Sequence, residues 1–166
     1  NNYLKAISVY LSFCLSRFSN RASTINIWDA NRETIAQTFG RQAIPMTWDF
    51  AECNPFSNST GNWLGGGVSW VASVLENLTL ENKGYIYQKN AMDGDFPENS
   101  VFSTDPPYYD NIAYADLSDY FYIWLKPSLK KYYNDVFSSI LTPKSEELVA
   151  LQHRHKTKFE AETFFL

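Results

Sequence analysis

Along residues 3–18 the apolar positions Leu4, Ile7, Leu11, Cys14, Leu15 and Phe18 recur at three- and four-residue steps. That spacing puts side chains on one face of an α-helix and predicts an amphipathic helix. Arg17 and Arg21 fall at its carboxyl end, where cations suit the helix dipole. A shorter helix is predicted from Asn31 to Phe39, closed by Gly40. The stretch "RQAIPMTWDFAECNPFSNSTGNWLGGG" (41–67) has turn residues and aromatics but no sustained period. It predicts a long loop with one short extended piece, kept in order by Trp48, Phe50, Phe56 and Trp63.

Residues 68–80, "VSWVASVLENLTL", return to a helical pattern. "GYIYQKNA" (84–91) predicts a strand, "MDGDFPENS" (92–100) a loop, and "VFST" (101–104) a second strand. "ADLSDYFYIWLKPSLKKYY" predicts a helix from about Leu117 with a kink or break at Pro127. From Ser145 onward the tail reads as helix, with acids in its first turn and Ser145 available as a cap. Helices alternating with short apolar strands predict an α/β fold with at least partly parallel pairing. Two strands make a thin sheet for such a fold.

Composition narrows the class. The chain has 166 residues, 17% of them aromatic, and a formal charge of −4. That length suits one domain with a sizeable core. The charge does not announce a nucleic-acid binder, but its distribution is uneven. Residues 1–45 carry 5 basic and 2 acidic side chains, residues 46–120 carry 2 and 11, and residues 121–166 carry 7 and 5. Basic flanks around an acidic centre fit a chain whose ends hold phosphates, and equally a solvated surface of mixed sign. Cys14 and Cys53 are too few for a disulfide framework or a zinc site. His153 and His155, at i and i+2, point to different faces of a helix, so no metal site is expected. No signal peptide or membrane-spanning run is present, which predicts a cytoplasmic chain with no membrane partner.

The chemistry concentrates in "VFSTDPPYYD" (101–110). Neither proline donates to a sheet ladder, and Pro106 holds Asp105 extended, so the strand should stop there and turn. In an open α/β sheet, ligands gather beyond the carboxyl ends of strands. The exocyclic amine of a planar base offers two N–H donors, and its site needs two acceptors at fixed separation. The Asp105 carboxylate and the Pro106 carbonyl can supply both, and Tyr108 can stack on the base, a contact worth roughly 1–3 kcal/mol. A base held in duplex DNA must be flipped out to reach such a corner. The plainer alternative is a rigid turn whose aspartate caps a helix.

"STDPPYY" resembles motif IV of the S-adenosylmethionine-dependent amino-methyltransferases, in the DPPY form of the adenine-N6 DNA methylases. With "FGRQAIPMTWDFAECNPF", "GNW" and "TDPPYYDNIAYADLSDYFYIWLK", the chain is similar to large bacterial and archaeal adenine-specific DNA methylases. Those enzymes carry an N-terminal domain of unknown function and often accompany anti-phage systems. The resemblance covers most of residues 25–155. It implies a partial Rossmann-like methyltransferase sheet with flanking helices, incomplete in this chain. Residues 1–82 would form a helical segment with the long aromatic loop, and residues 83–166 the motif IV region with its following helices.

Carried over residue by residue, the resemblance implies that Asp105, Pro106, Pro107 and Tyr108 hold the target amine. Asn90 or Asp93, in "KNAMDGDF", would meet the adenine of S-adenosyl-L-methionine. Tyr109, Asn111 and Tyr114 would lie near the flipped base, and Asp119 on a helix surface. Residues 41–56 would line the cofactor pocket, contact DNA, or pack as an aromatic loop. The implied partners are DNA, the rest of a methylase chain and defence-system proteins. One departure stands out. The glycine-rich loop that follows the first strand in such enzymes has no counterpart, because "WLGGGVSW" follows no apolar strand and reads as a hinge. The chain is therefore expected to be a piece of a larger methylase, inactive by itself. The rival expectations are methylation of RNA or protein amides, and a non-catalytic nucleic-acid-binding module.

Overall fold

The computed structural model describes residues 1–79, 82–90, 94 and 96–166. The chain divides into two compact units, one of Asn1–Leu78 with Ala113–Glu147 and one of Thr79–Ile112 with Leu148–Leu166.

The first unit is helical. Helix α1 spans Asn2–Ser19, and the Asn1 side chain caps it by accepting the Tyr3 amide at 3.0 Å. The helix forms where its periodicity predicts, but its predicted face is only partly buried. Leu4 and Leu11 lie half exposed, while Ser12 and Cys14 are buried. The buried face stays polar at no cost because Ser12 donates to the Ser8 carbonyl at 2.7 Å. Helix α3 spans Tyr114–Leu129 and runs through Pro127 for two more residues. The carbonyl of Ile123, which loses its partner to the proline, belongs to an exposed residue that water can reach.

Packing of α1 on α3 makes the core. Tyr122, Leu129 and Phe137 are buried together, with Val9, Leu125 and Tyr133 against them. The Tyr122 and Phe137 rings stack at 5.5 Å, and the Tyr122 hydroxyl donates to the Ser139 carbonyl at 2.8 Å. Tyr120 donates to the Ser19 carbonyl at 2.7 Å, tying α3 to the end of α1. Asp119 fastens the returning chain. Its Oδ1 accepts from the Thr142 amide at 2.8 Å, and its Oδ2 lies 2.6 Å from Lys144 Nζ.

The helix predicted at residues 31–39 is instead an antiparallel hairpin. Strand β1 (Trp28–Asp29) pairs with β2 (Thr34–Ile35), in the register Trp28 with Ile35 and Asp29 with Thr34. The Asp29 carboxylate causes the difference. It accepts the amides of Asn31 and Arg32 at 3.0 and 3.2 Å, closing a turn before a helix can nucleate. Glu33 completes the turn at φ 48°, and β-branched Thr34 and Ile35 favour the strand.

The predicted loop at 41–67 has no regular element before a π-helical turn, Leu64–Val68, which feeds helix α2, Ser69–Asn77. The three glycines expected to hinge are thus wound into helix. Gly61 does need its freedom. It sits at φ +82°, and a Cβ there would lie 2.3 Å from Cys53 Sγ.

The second unit holds a 3₁₀ turn, Gln152–Arg154, and helix α4, Lys158–Phe165. The continuous helix predicted from Ser145 does not form. Thr157 is the cap in use, its Oγ1 accepting the Glu160 amide at 3.1 Å while Glu160 accepts the Lys156 amide.

The α/β expectation is overturned. Among the described residues the only sheet is the two-stranded antiparallel hairpin, so there is no partial Rossmann-like parallel sheet. Neither 101–104 nor the described part of 84–91 is a strand. Ile86 and Val101 are 97% and 96% exposed, and an apolar run with no ladder partner and no buried face is not held as a strand. No helix among the described residues is long and apolar enough to cross a membrane.

Candidate functional site

The corner residues Asp105, Pro106, Pro107 and Tyr108 lie in irregular chain within the second unit. Asp105 and Pro106 are exposed, Pro107 is half-buried and the Tyr108 ring is 55% exposed. The stretch is therefore exposed at Asp105, Pro106 and Tyr108, without a sheet beneath it. Rigidity comes from elsewhere. Two prolines fix two φ angles, and the Asn111 amide donates to the Tyr108 carbonyl at 3.1 Å to close a turn.

Tyr109 anchors the corner at three points. Its hydroxyl donates to Glu162 Oε1 at 3.1 Å, and its ring meets the Phe165 ring edge-on at 5.1 Å. Its carbonyl accepts the Ala150 amide at 2.8 Å. Burial raises the phenol above its ordinary pKa of 10.0, and the hydrogen bond and charge of Glu162 and the charge of Asp110 add to the rise. A neutral phenol keeps its proton for Glu162, so the contact holds through ordinary pH. The side chain expected to face a base is thus engaged within its own unit, by α4.

The other expected site residues fall in different elements. Asn90 lies in an exposed stretch without regular structure, and Asp93 lies outside the described residues. Asn111 supplies the turn amide. Tyr114 opens α3 and belongs with the first unit. Asp119, expected on a helix surface, is the α3 anchor for Thr142 and Lys144. Burial works to raise its carboxyl, but the Lys144 ammonium and the Thr142 hydroxyl and amide outweigh it, so the pKa is lowered from 3.8.

Aromatics surround the corner in sequence. Phe96 and Phe102 meet edge to face at 4.8 Å, and Lys89 Nζ stands 5.4 Å from the Phe96 centroid. In the first unit a cavity of about 440 Å³ is lined by Phe56, Ser57, Asn58, Asn62, Trp63 and Leu64, with neighbours from the same loop and turn. Its wall is set by Asn62, whose side chain accepts the amides of Gly65 and Gly66 at the start of the π-helical turn. Among the described residues no group of three or more His, Cys, Asp and Glu side chains could hold a metal ion. Cys14 and Cys53 are free thiols.

Sequence reasoning missed Glu162, Phe165 and Ala150 as partners of Tyr109. They lie 41 to 56 residues downstream, and no local pattern joins them to the corner. No protein-family model, curated protein or solved structure matches the chain.

Proposed function

We infer that this chain carries the amine-holding corner of an adenine-specific DNA methyltransferase. In this reading the Asp105 carboxylate and the Pro106 carbonyl accept the two N–H bonds of an adenine N6 amine, and Tyr108 stacks on the ring. Directing both N–H bonds at fixed acceptors turns the nitrogen lone pair out of conjugation and toward an electrophile. The supporting observation is the exposure of Asp105, Pro106 and Tyr108, followed directly by a residue tied down at three points.

S-adenosylmethionine would supply the electrophilic methyl group. The three consecutive glycines are wound into a π-helical turn of the first unit, and Asn90 lies outside any strand among the described residues. In the proposal the donor is held by another part of a methylase chain, and this chain alone is inactive. The test is methyl transfer from labelled S-adenosylmethionine by the full-length protein, offered adenine-containing duplex DNA and RNA in parallel. Label in the DNA at adenine N6, lost with Asp105→Ala, is the expected result. Full transfer by the alanine variant overturns the assignment.

A second reading is supported by the lack of a parallel sheet among the described residues: a non-catalytic module that uses the same corner to hold a planar amine. It differs by predicting binding of the base with no transfer by the full-length protein.

A further inference from the structure

Lys126 and Lys130 stand one helical turn apart at the carboxyl end of α3, Lys131 follows, and Lys5 of α1 joins them. Three of these cations rest on rings. Lys5 Nζ is 4.2 Å from the Tyr133 centroid, Lys126 Nζ 5.6 Å from Tyr122, and Lys131 Nζ 5.9 Å from Tyr132. Lys126 also donates to the Ser139 carbonyl. Elsewhere on the chain Arg32, Lys144 and Lys158 have carboxylate partners. Among the described residues these four lysines have none. The nearby acid in sequence is Asp135, and Asp119 is committed to Lys144. The α3 dipole accounts for one or two cations at its carboxyl end, within the last turn. Four cations on α1, α3 and the two residues after it, three of them near aromatic rings, leave an excess of positive charge on these segments.

We propose that this lysine–tyrosine cluster is a contact surface for the phosphate backbone of nucleic acid. The excess charge suits any polyanion; the choice of nucleic acid rests on the methylase reading. Rings that hold the lysine stems reduce the freedom lost when phosphates bind, and the exposed Lys130 and Lys131 supply the outer contacts.

The experiment is fluorescence anisotropy of a labelled short DNA duplex titrated with the whole 166-residue chain at several salt concentrations. Four phosphate contacts give a log–log salt slope of about −3.6, roughly a 150-fold loss between about 50 and 200 mM salt. Lys130→Gln/Lys131→Gln should halve the slope to about −1.8 and cut that loss to roughly 12-fold. Lys130→Glu/Lys131→Glu should weaken binding further, with circular dichroism checking that the helices remain. Duplex binding is read here without methyl transfer, so a failed methyl-transfer assay leaves this surface standing and removes only the methylase reading. The proposal is overturned by any of three results: no duplex binding at low salt, unchanged affinity and slope in the glutamine variant, or tighter binding to polyglutamate or to phosphatidylserine vesicles than to DNA.

Discussion

Replacing Asp119 by alanine should unfasten the 137–147 segment from α3. The carboxylate accepts the Thr142 amide at 2.8 Å and lies 2.6 Å from both the Thr142 hydroxyl and the Lys144 ammonium. The Thr142 hydroxyl also lies 2.6 Å from the Ala115 carbonyl, so its single proton serves one acceptor at a time. Hydrogen bonds to charged groups contribute about 1.5–3 kcal/mol each when buried. Here the Asp119 and Lys144 side chains are 21% and 28% exposed, and the freed amide and ammonium regain water in part. A net loss of roughly 2 kcal/mol follows, about 8 °C in thermal midpoint for a unit of this size. Asp119→Asn keeps an acceptor for Thr142 and should lose about half as much.

The pH dependence is the sharper readout. Asp119 has a folded-state pKa lowered from 3.8, so its contribution is complete above that value and fades as pH falls through the folded pKa. Thermal unfolding of the parent and both variants, followed by circular dichroism across acidic and neutral pH, measures it. The gap between parent and Asp119→Asn should be constant near neutrality and close on the acid side. A gap that persists at full size well below pH 3.8, or an alanine variant that melts with the parent, would refute the reasoning.

Gly61→Ala should cost about 1–3 kcal/mol, because alanine resists φ +82° and its Cβ would strike Cys53 Sγ. A second change, Cys53→Ala, should restore part of that loss in chemical denaturation, and no restoration would place the strain in the backbone alone. Tyr109→Phe removes only the hydroxyl bond to Glu162, whereas Tyr109→Ala removes the Phe165 contact as well. Amide exchange around 108–111 should rise modestly in the first and strongly in the second; equal, unchanged protection in both would show that Tyr109 does not anchor the corner.

The helices that announce themselves by spacing form: α1 stands where residues 3–18 predict it, and α3, expected from about Leu117 with a break at Pro127, starts at Tyr114 and runs on to Leu129. Periodicity locates a helix but not its partner. Leu4 and Leu11, on the face that spacing alone assigns to the core, lie half exposed. The hairpin at 28–35 was hidden because its cause is one side chain, Asp29, capturing two amides. The failed strands at 84–90 and 101–104 teach the complementary point. An apolar run becomes a strand only when another run pairs with it, and neither has a partner among the described residues. The corner's composition was legible from residues 105–108 alone. Its anchorage was not, since Tyr109 finds Glu162 only once α4 has formed. The bond of Asp119 to Lys144, likewise, joins residues 25 apart that carry no shared local signal.

The central claim is that the acceptors at Asp105 and Pro106 hold a primary amine on a flat base. Its most direct test compares adenosine with N6,N6-dimethyladenosine, which keeps the ring and lacks both N–H donors, by chemical-shift titration of this chain. Adenosine should bind at least about tenfold more tightly, the worth of one hydrogen bond to a carboxylate, and Asp105→Ala should erase the difference. Equal affinity for the two nucleosides, or a preference that survives the alanine substitution, contradicts the account.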